Sequence, residues 1–140
     1  TRGIGPNQTT AAFDYFLEVA HKQFDDLQVL SAEDVLANGN LTIKDGIVIA
    51  VTENYPLPGV DFDQKSQGEV IQKLVSVAKD RLIVVALRDP YELSYLDAPT
   101  YLCAFSFRPC AAQAAVDVLC GDVKPQGLTS VSLPGTNLKA

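Results

Sequence analysis

The fold is decided by residues 81–107, RLIVVALRDPYELSYLDAPTYLCAFSF. This stretch begins with an unbroken apolar run, Leu82–Leu87, that is rich in β-branched residues. A strand with one solvated face alternates apolar and polar residues, so this run predicts a strand that is covered on both faces. After it, Asp89 and Pro90 suit the N-cap and first position of a short helix, and a second apolar run spans Tyr101–Phe105. Strand, helix and strand indicate a βαβ-like unit in a buried parallel sheet, where ligands usually bind beyond the strand ends.

Helical and strand patterns alternate along the rest of the chain. Apolar spacing and cap residues predict helices at 11–24, 31–37, 64–79 and 110–120, the second capped by Ser31 and the last ended by Gly121. An apolar run predicts a strand at 47–51, residues 27–30 are a short strand candidate, and residues 128–133 are predicted as a last strand or extended tail. This alternation predicts one α/β domain over residues 1–140, a three-layer α/β/α sandwich with a mostly parallel sheet. Because such domains usually open with a strand, we expect the first strand to be missing before Thr1.

Composition and charge exclude several classes of function. The length of 140 residues and the apolar content of 47% fit a globular domain with a sizeable core. A net charge of −6 argues against nucleic acid and anionic membranes as partners, because phosphate binding needs a basic surface. No apolar run approaches the roughly 20 residues of a membrane span. Thr1 follows no initiating Met or signal peptide, so we expect a processed or truncated chain, either cytoplasmic or secreted.

The cysteines and the single histidine give no metal or catalytic signature. Cys103, Cys110 and Cys120 lie in apolar surroundings without metal-ligand spacing, so we expect small buried side chains. If Cys110 and Cys120 share one helix they lie about 15 Å apart, too far for a disulfide. His21 has no neighbouring Ser or Cys to activate and is expected at the surface.

Two other short patterns carry little weight. Asn7 and Asn40 begin triplets that match the glycosylation acceptor pattern, which matters only if the chain is secreted. Gly3 and Gly5 resemble part of a phosphate-binding loop, but no strand precedes them and the third glycine is missing. We therefore expect neither a cofactor nor a bound metal.

Residues from about Gly46 to Pro134 resemble the C-terminal domain of family 3 glycoside hydrolases, of the β-N-acetylhexosaminidase type. The segments that carry the resemblance are IVIAVTEN at 47–54, Gln67 with IQKLV at 71–75, LIVVALRDPYEL at 82–93, TYLCAFSFRP at 100–109 and AAVDVLCGDVKPQGLTSVSLP at 114–134. In that family the domain is an α/β/α sandwich that follows a catalytic (β/α)₈ barrel. The resemblance also implies a strand just before residue 1.

The resemblance implies a domain without catalysis of its own. The family's nucleophilic Asp and its acid/base group belong to the barrel, which these 140 residues do not include. Glycoside hydrolysis needs two groups about 5–10 Å apart across the sugar. His21 lacks the flanking motif of the family's catalytic histidine, so that role is not transferred. We therefore expect that this chain alone does not cleave glycosidic bonds and that a second copy covers the open sheet surface in a homodimer.

Candidate binding residues follow the predicted strands. They are Thr52, Glu53, Asn54 and Asp61 after one strand, Arg88, Asp89 and Tyr91 after the next, and Ser106 and Arg108 after the third. Polar side chains beside aromatic rings suit a sugar, because hydroxyl groups accept and donate hydrogen bonds while ring faces stack on C–H surfaces. Structural roles compete with this interpretation. Asp89 can be a helix cap, Arg88 can pair with Asp89 or Glu53, and Tyr91 can pack.

Three functions remain open. The first is a non-catalytic accessory domain of a family 3 glycosidase, with affinity for N-acetylglucosamine-type sugars. The second is a stand-alone interaction or lectin-like protein that keeps the fold without glycosidase activity. The third is an independent hydrolase that uses Asp and Glu side chains at the strand ends as acid and base.

Overall fold

Three parallel strands, in the order β1–β2–β3, form the sheet in the part of the chain that the structure describes. The structure is a computed structural model and describes residues 11–54, 63–129 and 131–133. The strands are β1 (Val48–Thr52), β2 (Leu82–Ala86) and β3 (Thr100–Cys103). Thr52 pairs with Ala86, and Ala86 pairs with Cys103, so the three strands end together. The chain has the predicted α/β fold with a parallel sheet.

Helices cover both faces of the sheet, which gives the predicted three layers. The helices are α1 (Ala11–Gln23), α2 (Ala32–Ala37), α3 (Gln64–Ala78) and α4 (Pro109–Cys120). Side chains along β2 and directly after it point to opposite faces: Leu82 and Val84 pack with α2 and α3, whereas Val85 and Leu87 pack with α1 and α4. All four of these side chains are buried, and burial of such a side chain contributes about 1.5–3 kcal/mol. The unbroken apolar run therefore reflects two cores that share one strand.

Local signals fix the helix ends as the sequence predicts. The Ser31 hydroxyl accepts a hydrogen bond from the Asp34 backbone N–H, and the Asp34 carboxylate accepts one from the Ser31 N–H. This reciprocal pair is a capping box. Gly121 ends α4 with a φ of 82°, in the left-handed region that glycine adopts without a steric penalty.

The predicted strand at 27–30 is absent, and the segment predicted as a last strand or extended tail is not a strand where the structure describes it. Residues 27–30 have no regular secondary structure and lead from a turn into the capping box of α2. Val29 and Leu30 are each more than half exposed, so this short run lacks the paired neighbour that a strand requires. At the other end, residues 128–129 and 131–133 are not a strand, and Leu128 is exposed whereas Leu133 is buried. The first strand, which is expected before Thr1, would lie outside the described residues.

The prediction that all three cysteines are buried is wrong for two of them. Cys110 and Cys120 are exposed and Cys103 is partly buried. The buried face of α4 is formed by Ala111, Ala112, Ala115 and Val116. Small apolar side chains rather than thiols therefore pack against the sheet. All three cysteines are free.

The other predictions about the protein surface concern the single histidine, the two asparagines of the glycosylation pattern and membrane spans. His21, in the last turn of α1, is exposed as predicted. Asn40 is exposed in a turn, while Asn7 lies outside the described residues. Within the described ranges, no helix has the length and apolar character needed to cross a lipid bilayer.

Replacing Lys79 by Gly is expected to raise the free energy of unfolding by about 1 kcal/mol. Lys79 ends α3 with a φ of 52° and a ψ of −129°, a backbone conformation that a Cβ atom disfavours and glycine adopts freely. Lys79→Ala is the matched control, because it removes the exposed side chain and keeps the Cβ atom. Urea unfolding of both variants checks the prediction, and equal effects of Gly and Ala would contradict it.

Candidate functional site

The candidate site lies where β1, β2 and β3 end, which we call the carboxyl end of the sheet. Thr52, Ala86 and Cys103 occupy one row across the last residues of the three strands. The chain continues from each strand into polar residues, and the sheet divides these into two groups. One group lies on the side of α3 and the other on the side of α4.

Asn54 is the centre of the group on the α3 side, which we call the amide network. Its Oδ1 atom accepts hydrogen bonds from the Tyr95 hydroxyl at 2.7 Å and from Gln67 Nε2 at 3.2 Å. Its Nδ2 atom donates to Asp89 Oδ1 at 3.2 Å. Gln67 Nε2 also donates to the Tyr95 hydroxyl at 2.8 Å. Asn54 and Gln67 are buried, so these bonds join β1, α3 and the segment after β2 in a low-dielectric environment.

Asp89 connects the amide network to the short helical segment after β2. That segment is a 3₁₀ helix, Tyr91–Ser94, with Pro90 at its N-cap position. The Asp89 carboxylate accepts a hydrogen bond from the Tyr91 backbone N–H at 3.1 Å, in addition to the bond from Asn54. Asp89 therefore lies one position before the N-cap that the sequence predicted for it, and Pro90 precedes the first helical position. Its carboxylate nevertheless binds the first helical N–H and also contacts β1.

Glu92 is a fully buried carboxyl group that the sequence did not identify. It follows the exposed Tyr91 in the 3₁₀ helix and is 0% exposed, and its Oε1 atom accepts a hydrogen bond from the Thr52 hydroxyl at 3.0 Å. Burial raises the pKa of Glu92 from 4.5 to about 7, and the negative charges of Asp89 and Glu53 act in the same direction. The group therefore changes its charge near neutral pH.

Several polar atoms around Glu92 lack a hydrogen-bond partner among the described residues. They are Glu92 Oε2, Gln67 Oε1 and the Tyr101 hydroxyl. Burial and the nearby Glu92 charge raise the pKa of the Tyr101 hydroxyl, and they raise that of the Cys103 thiol to about 11. The raised pKa favours the thiol form of Cys103 at neutral pH over the thiolate, which is the reactive form.

On the α4 side, a charged and aromatic group joins Glu53, Arg88, Phe107 and Arg108. Glu53 is 1% exposed, and its Oε1 atom lies 4.0 Å from Arg88 Nη1. The guanidinium groups of Arg88 and Arg108 lie over the Phe107 ring at 4.9 Å and 5.0 Å from its centroid. Such contacts hold cations against a ring by electrostatic attraction to its π face. The predicted alternative in which Arg88 pairs with Glu53 is therefore observed.

Two aromatic side chains at the carboxyl end face solvent. Tyr91 is 52% exposed and Phe105 is 42% exposed. Phe105 follows β3 and has a φ of 54°, an uncommon conformation for a residue with a Cβ atom. Because more than half of Tyr91 is exposed, the alternative in which its side chain simply packs is not observed. Beside the amide network, a shallow groove is lined by Tyr95 and by residues of α3, among them Lys65, Gly68 and Gln72.

The structure brings most of the predicted binding residues to the carboxyl end but divides them by accessibility. Thr52, Glu53 and Asn54 are buried, Asp89, Arg88 and Ser106 are partly exposed, and Tyr91 and Arg108 are exposed. Asp61 lies outside the described residues. Sequence reasoning missed Glu92, Tyr95 and Phe107 as parts of the site. Their neighbours in PYEL and FSF indicated only packing. The hydrogen-bond partners of Tyr95 are Gln67 and Asn54, which lie 28 and 41 positions away in the sequence.

The described residues contain no group of three or more His, Cys, Asp or Glu side chains arranged to hold a metal ion. The carboxyl end combines a buried hydrogen-bonded network with exposed aromatic and cationic side chains. Comparison of the chain with protein-family models, with curated proteins and with solved structures gave no match.

Proposed function

We propose that this chain is a non-catalytic, carbohydrate-binding domain of the type that follows the barrel in family 3 glycoside hydrolases, with N-acetylglucosamine-type sugars as ligands. The family assignment rests on the sequence resemblance of residues 46–134. The observation that carries the binding proposal is the pair of exposed rings, Tyr91 and Phe105, at the carboxyl end of a parallel sheet. Exposed rings beside hydrogen-bonding groups are what a sugar surface with alternating C–H and O–H groups requires.

The buried contacts support this proposal through the position of Tyr91. The Asp89 carboxylate binds the Tyr91 backbone N–H and is itself held by Asn54. A ring on a segment anchored in this way loses little conformational freedom when it binds a ligand, because its backbone is already fixed. Arg108 and the partly exposed Asp89 supply a donor and an acceptor for hydroxyl groups at the same end of the sheet.

The burial of the two glutamates argues against hydrolysis by this chain alone. Glu53 and Glu92 are 1% and 0% exposed. A general acid or base must lie within hydrogen-bond distance of the group that it serves, directly or through one water. Carboxyl groups enclosed in this way do not reach a glycosidic bond at the surface. The catalytic pair would then be supplied by a separate barrel domain, as the family resemblance implies.

Tyr91→Ala is expected to weaken binding of N-acetylglucosamine oligomers about tenfold, because loss of one aromatic contact costs roughly 1–1.5 kcal/mol. Tyr91→Phe keeps the ring and is expected to retain most of the affinity. Titration followed by NMR chemical shifts measures both variants and the unaltered chain, with a chromogenic N-acetylglucosaminide included to detect turnover. Absence of shifts in the unaltered chain at millimolar ligand would refute sugar binding, and turnover by pure recombinant chain would refute the non-catalytic role.

A second function, protein association, is favoured by a different observation. Large apolar side chains before β1 and around α2 are more than a third exposed, namely Val29, Leu30, Leu36 and Ile47. Exposed apolar side chains of this size contribute to protein interfaces when they are contiguous. We propose a homodimer, or a stand-alone interaction protein, as the alternative that these side chains support. Light scattering across a range of concentrations tests the dimer, and a monomer at the highest concentration would exclude it.

A further inference from the structure

Glu92 is a buried carboxyl group whose negative charge has little to stabilise it. Its Oε1 atom accepts a hydrogen bond from the Thr52 hydroxyl at 3.0 Å, and its Oε2 atom has no partner among the described residues. Within the same ranges of the chain, Glu92 forms no ion pair with Lys, Arg or His. A buried carboxylate costs far more free energy than a buried carboxylic acid unless a cation compensates it. The protonated side chain is therefore the form that fits this position.

The titratable groups that interact with Glu92 come from all three strands and from its own segment. They are Glu53 after β1, Asp89 after β2, Tyr101 and Cys103 on β3, and Tyr95 directly after the 3₁₀ helix. The negative charges of Asp89 and Glu53 oppose ionisation of Glu92. Burial raises the pKa of both tyrosines and of Cys103, so these groups favour their neutral forms near pH 7.

The remaining neighbours do not supply a positive charge to Glu92. The buried side chains of α3 are Gln67 and apolar residues. Arg88 lies against the other buried glutamate, with 4.0 Å between Arg88 Nη1 and Glu53 Oε1. Ionisation of Glu92 therefore places an uncompensated charge between the 3₁₀ helix and the end of β1.

The direction of the pH effect follows from the protonation of Glu92. Burial raises its pKa from 4.5 to about 7. The packed position of the 3₁₀ helix is therefore fully favoured below pH 4.5, loses stability as the pH rises to about 7, and changes little above that. The difference between the two pKa values corresponds to a roughly 300-fold change in the equilibrium between the packed and the released helix.

The 3₁₀ helix also carries one of the two rings of the proposed sugar site. The exposed Tyr91 directly precedes Glu92, and the two residues occupy the first two positions of this helix. Segments that connect strands open locally more easily than the strands themselves. Release of Glu92 from Thr52 would therefore displace the Tyr91 ring before the sheet unfolds.

We propose that Glu92 is a pH-dependent switch, which in its protonated form holds the 3₁₀ helix and the Tyr91 ring in the binding position and in its ionised form releases them. This inference rests on the proposed carbohydrate-binding function and adds regulation by pH to it. Sugar binding is therefore stronger in acidic than in alkaline solution.

Hydrogen exchange of backbone amides, measured by NMR from pH 5 to pH 9 without ligand, tests the switch. The reporters are the N–H groups of Leu93, Tyr95 and Leu96, which donate to the carbonyl groups of Pro90 and Glu92. After correction for intrinsic rates, their protection is expected to fall about 50-fold between pH 5 and pH 8 and to level off above pH 8. The amides of β2 are expected to exchange more slowly throughout, because they report unfolding of the sheet.

The carboxyl carbon of Glu92, observed in the same samples, is expected to titrate well above pH 4.5. Reporter protection that does not change with pH, or that equals the protection of β2, would overturn the switch. Titration of the Glu92 carboxyl carbon near pH 4.5 would overturn it as well.

The matched variants are Glu92→Gln and Asp97→Asn, which remove a carboxyl group from the buried position and from an exposed position after the same helix. Glu92→Gln is expected to abolish the pH dependence of reporter protection, and Asp97→Asn is expected to keep it. Thr52→Val removes a hydroxyl that stabilises the charge of Glu92, so the transition is expected to move to higher pH. Thermal unfolding shows whether each variant is folded, and the unaltered chain and Thr52→Val decide the question if Glu92→Gln is not.

Titration with N-acetylglucosamine oligomers at pH 5.5 and pH 8 separates the switch from the function on which it rests. Binding is expected to be several-fold weaker at pH 8 in the unaltered chain and equal at both pH values in Glu92→Gln. Equal affinities in the unaltered chain would overturn the regulation and leave sugar binding intact. If no sugar binds at either pH while the reporter amides respond, the switch stands and the carbohydrate function fails.

Discussion

Replacement of Glu92 by Gln is expected to stabilise the protein by about 2–3 kcal/mol at pH 8 and by about 1 kcal/mol or less at pH 5. The carboxyl group is fully buried, and its pKa is raised from 4.5 to about 7 by burial and by the nearby Asp89 and Glu53 charges. The folded protein therefore binds more protons than the unfolded chain between these two values. Stability is fully present below pH 4.5 and decreases as the pH rises to about 7.

The size of this effect follows from the difference between the two pKa values. Each pH unit in that window costs about 1.4 kcal/mol, so ionisation of Glu92 destabilises the fold by about 3 kcal/mol above pH 7. Gln removes the charge and keeps an oxygen atom that accepts the hydrogen bond from the Thr52 hydroxyl. Its amide N–H would occupy the place of Oε2, which has no partner among the described residues, and this reduces the gain.

Urea unfolding at pH 5, 6, 7 and 8, followed by circular dichroism, measures the difference between Glu92→Gln and the unaltered chain. Glu69→Gln is the control, because it removes the same charge from an exposed position on α3. Its effect is expected to stay within about 0.5 kcal/mol at every pH, as is usual for an exposed ion pair. A constant difference between Glu92→Gln and the unaltered chain from pH 5 to pH 8 would contradict the prediction.

Replacement of Asn54 by Ala is expected to destabilise the protein by about 3 kcal/mol. Asn54 accepts two hydrogen bonds, from Tyr95 and Gln67, and donates one to Asp89. Each such bond contributes about 1 kcal/mol, and a buried partner that is left unpaired adds a desolvation cost. Asn40→Ala is the control, since Asn40 is exposed in a turn.

A double-mutant cycle separates the amide network from a simple cavity effect. Tyr95→Phe removes one hydroxyl that donates to Asn54 and accepts from Gln67. If the network is cooperative, the cost of Asn54→Ala is expected to be smaller by about 1 kcal/mol in the Tyr95→Phe background. Additive costs of the two substitutions would show that Tyr95 and Asn54 stabilise the fold independently.

Most of the fold follows from patterns that are local in sequence. The unbroken run at 82–87 requires cover on both faces, and the structure places helices on both. Ser31 and Gly121 act at the helix ends that they mark, because caps are satisfied by residues only a few positions away. The strand prediction at 27–30 was wrong because a segment of four residues carries no information about whether a neighbouring strand is available for pairing.

The candidate site was predictable in its position but not in its internal arrangement. Parallel strands end together, so the residues after β1, β2 and β3 had to meet. The sequence did not indicate which of these residues are buried and which are exposed to solvent. Glu53 and Tyr91 both follow a strand, yet one is buried and the other is more than half exposed.

By itself, the sequence determined the parallel α/β architecture, the helix caps and the end of the sheet at which polar residues gather, because hydrophobic periodicity and capping are local properties. Only the tertiary structure decided that Glu92 is buried against Thr52, that Asn54 joins Gln67, Tyr95 and Asp89, and that Arg88 and Arg108 share Phe107. The physical reason is that these contacts join segments far apart in the chain. Their burial and their charge depend on how the layers pack, which no single segment specifies.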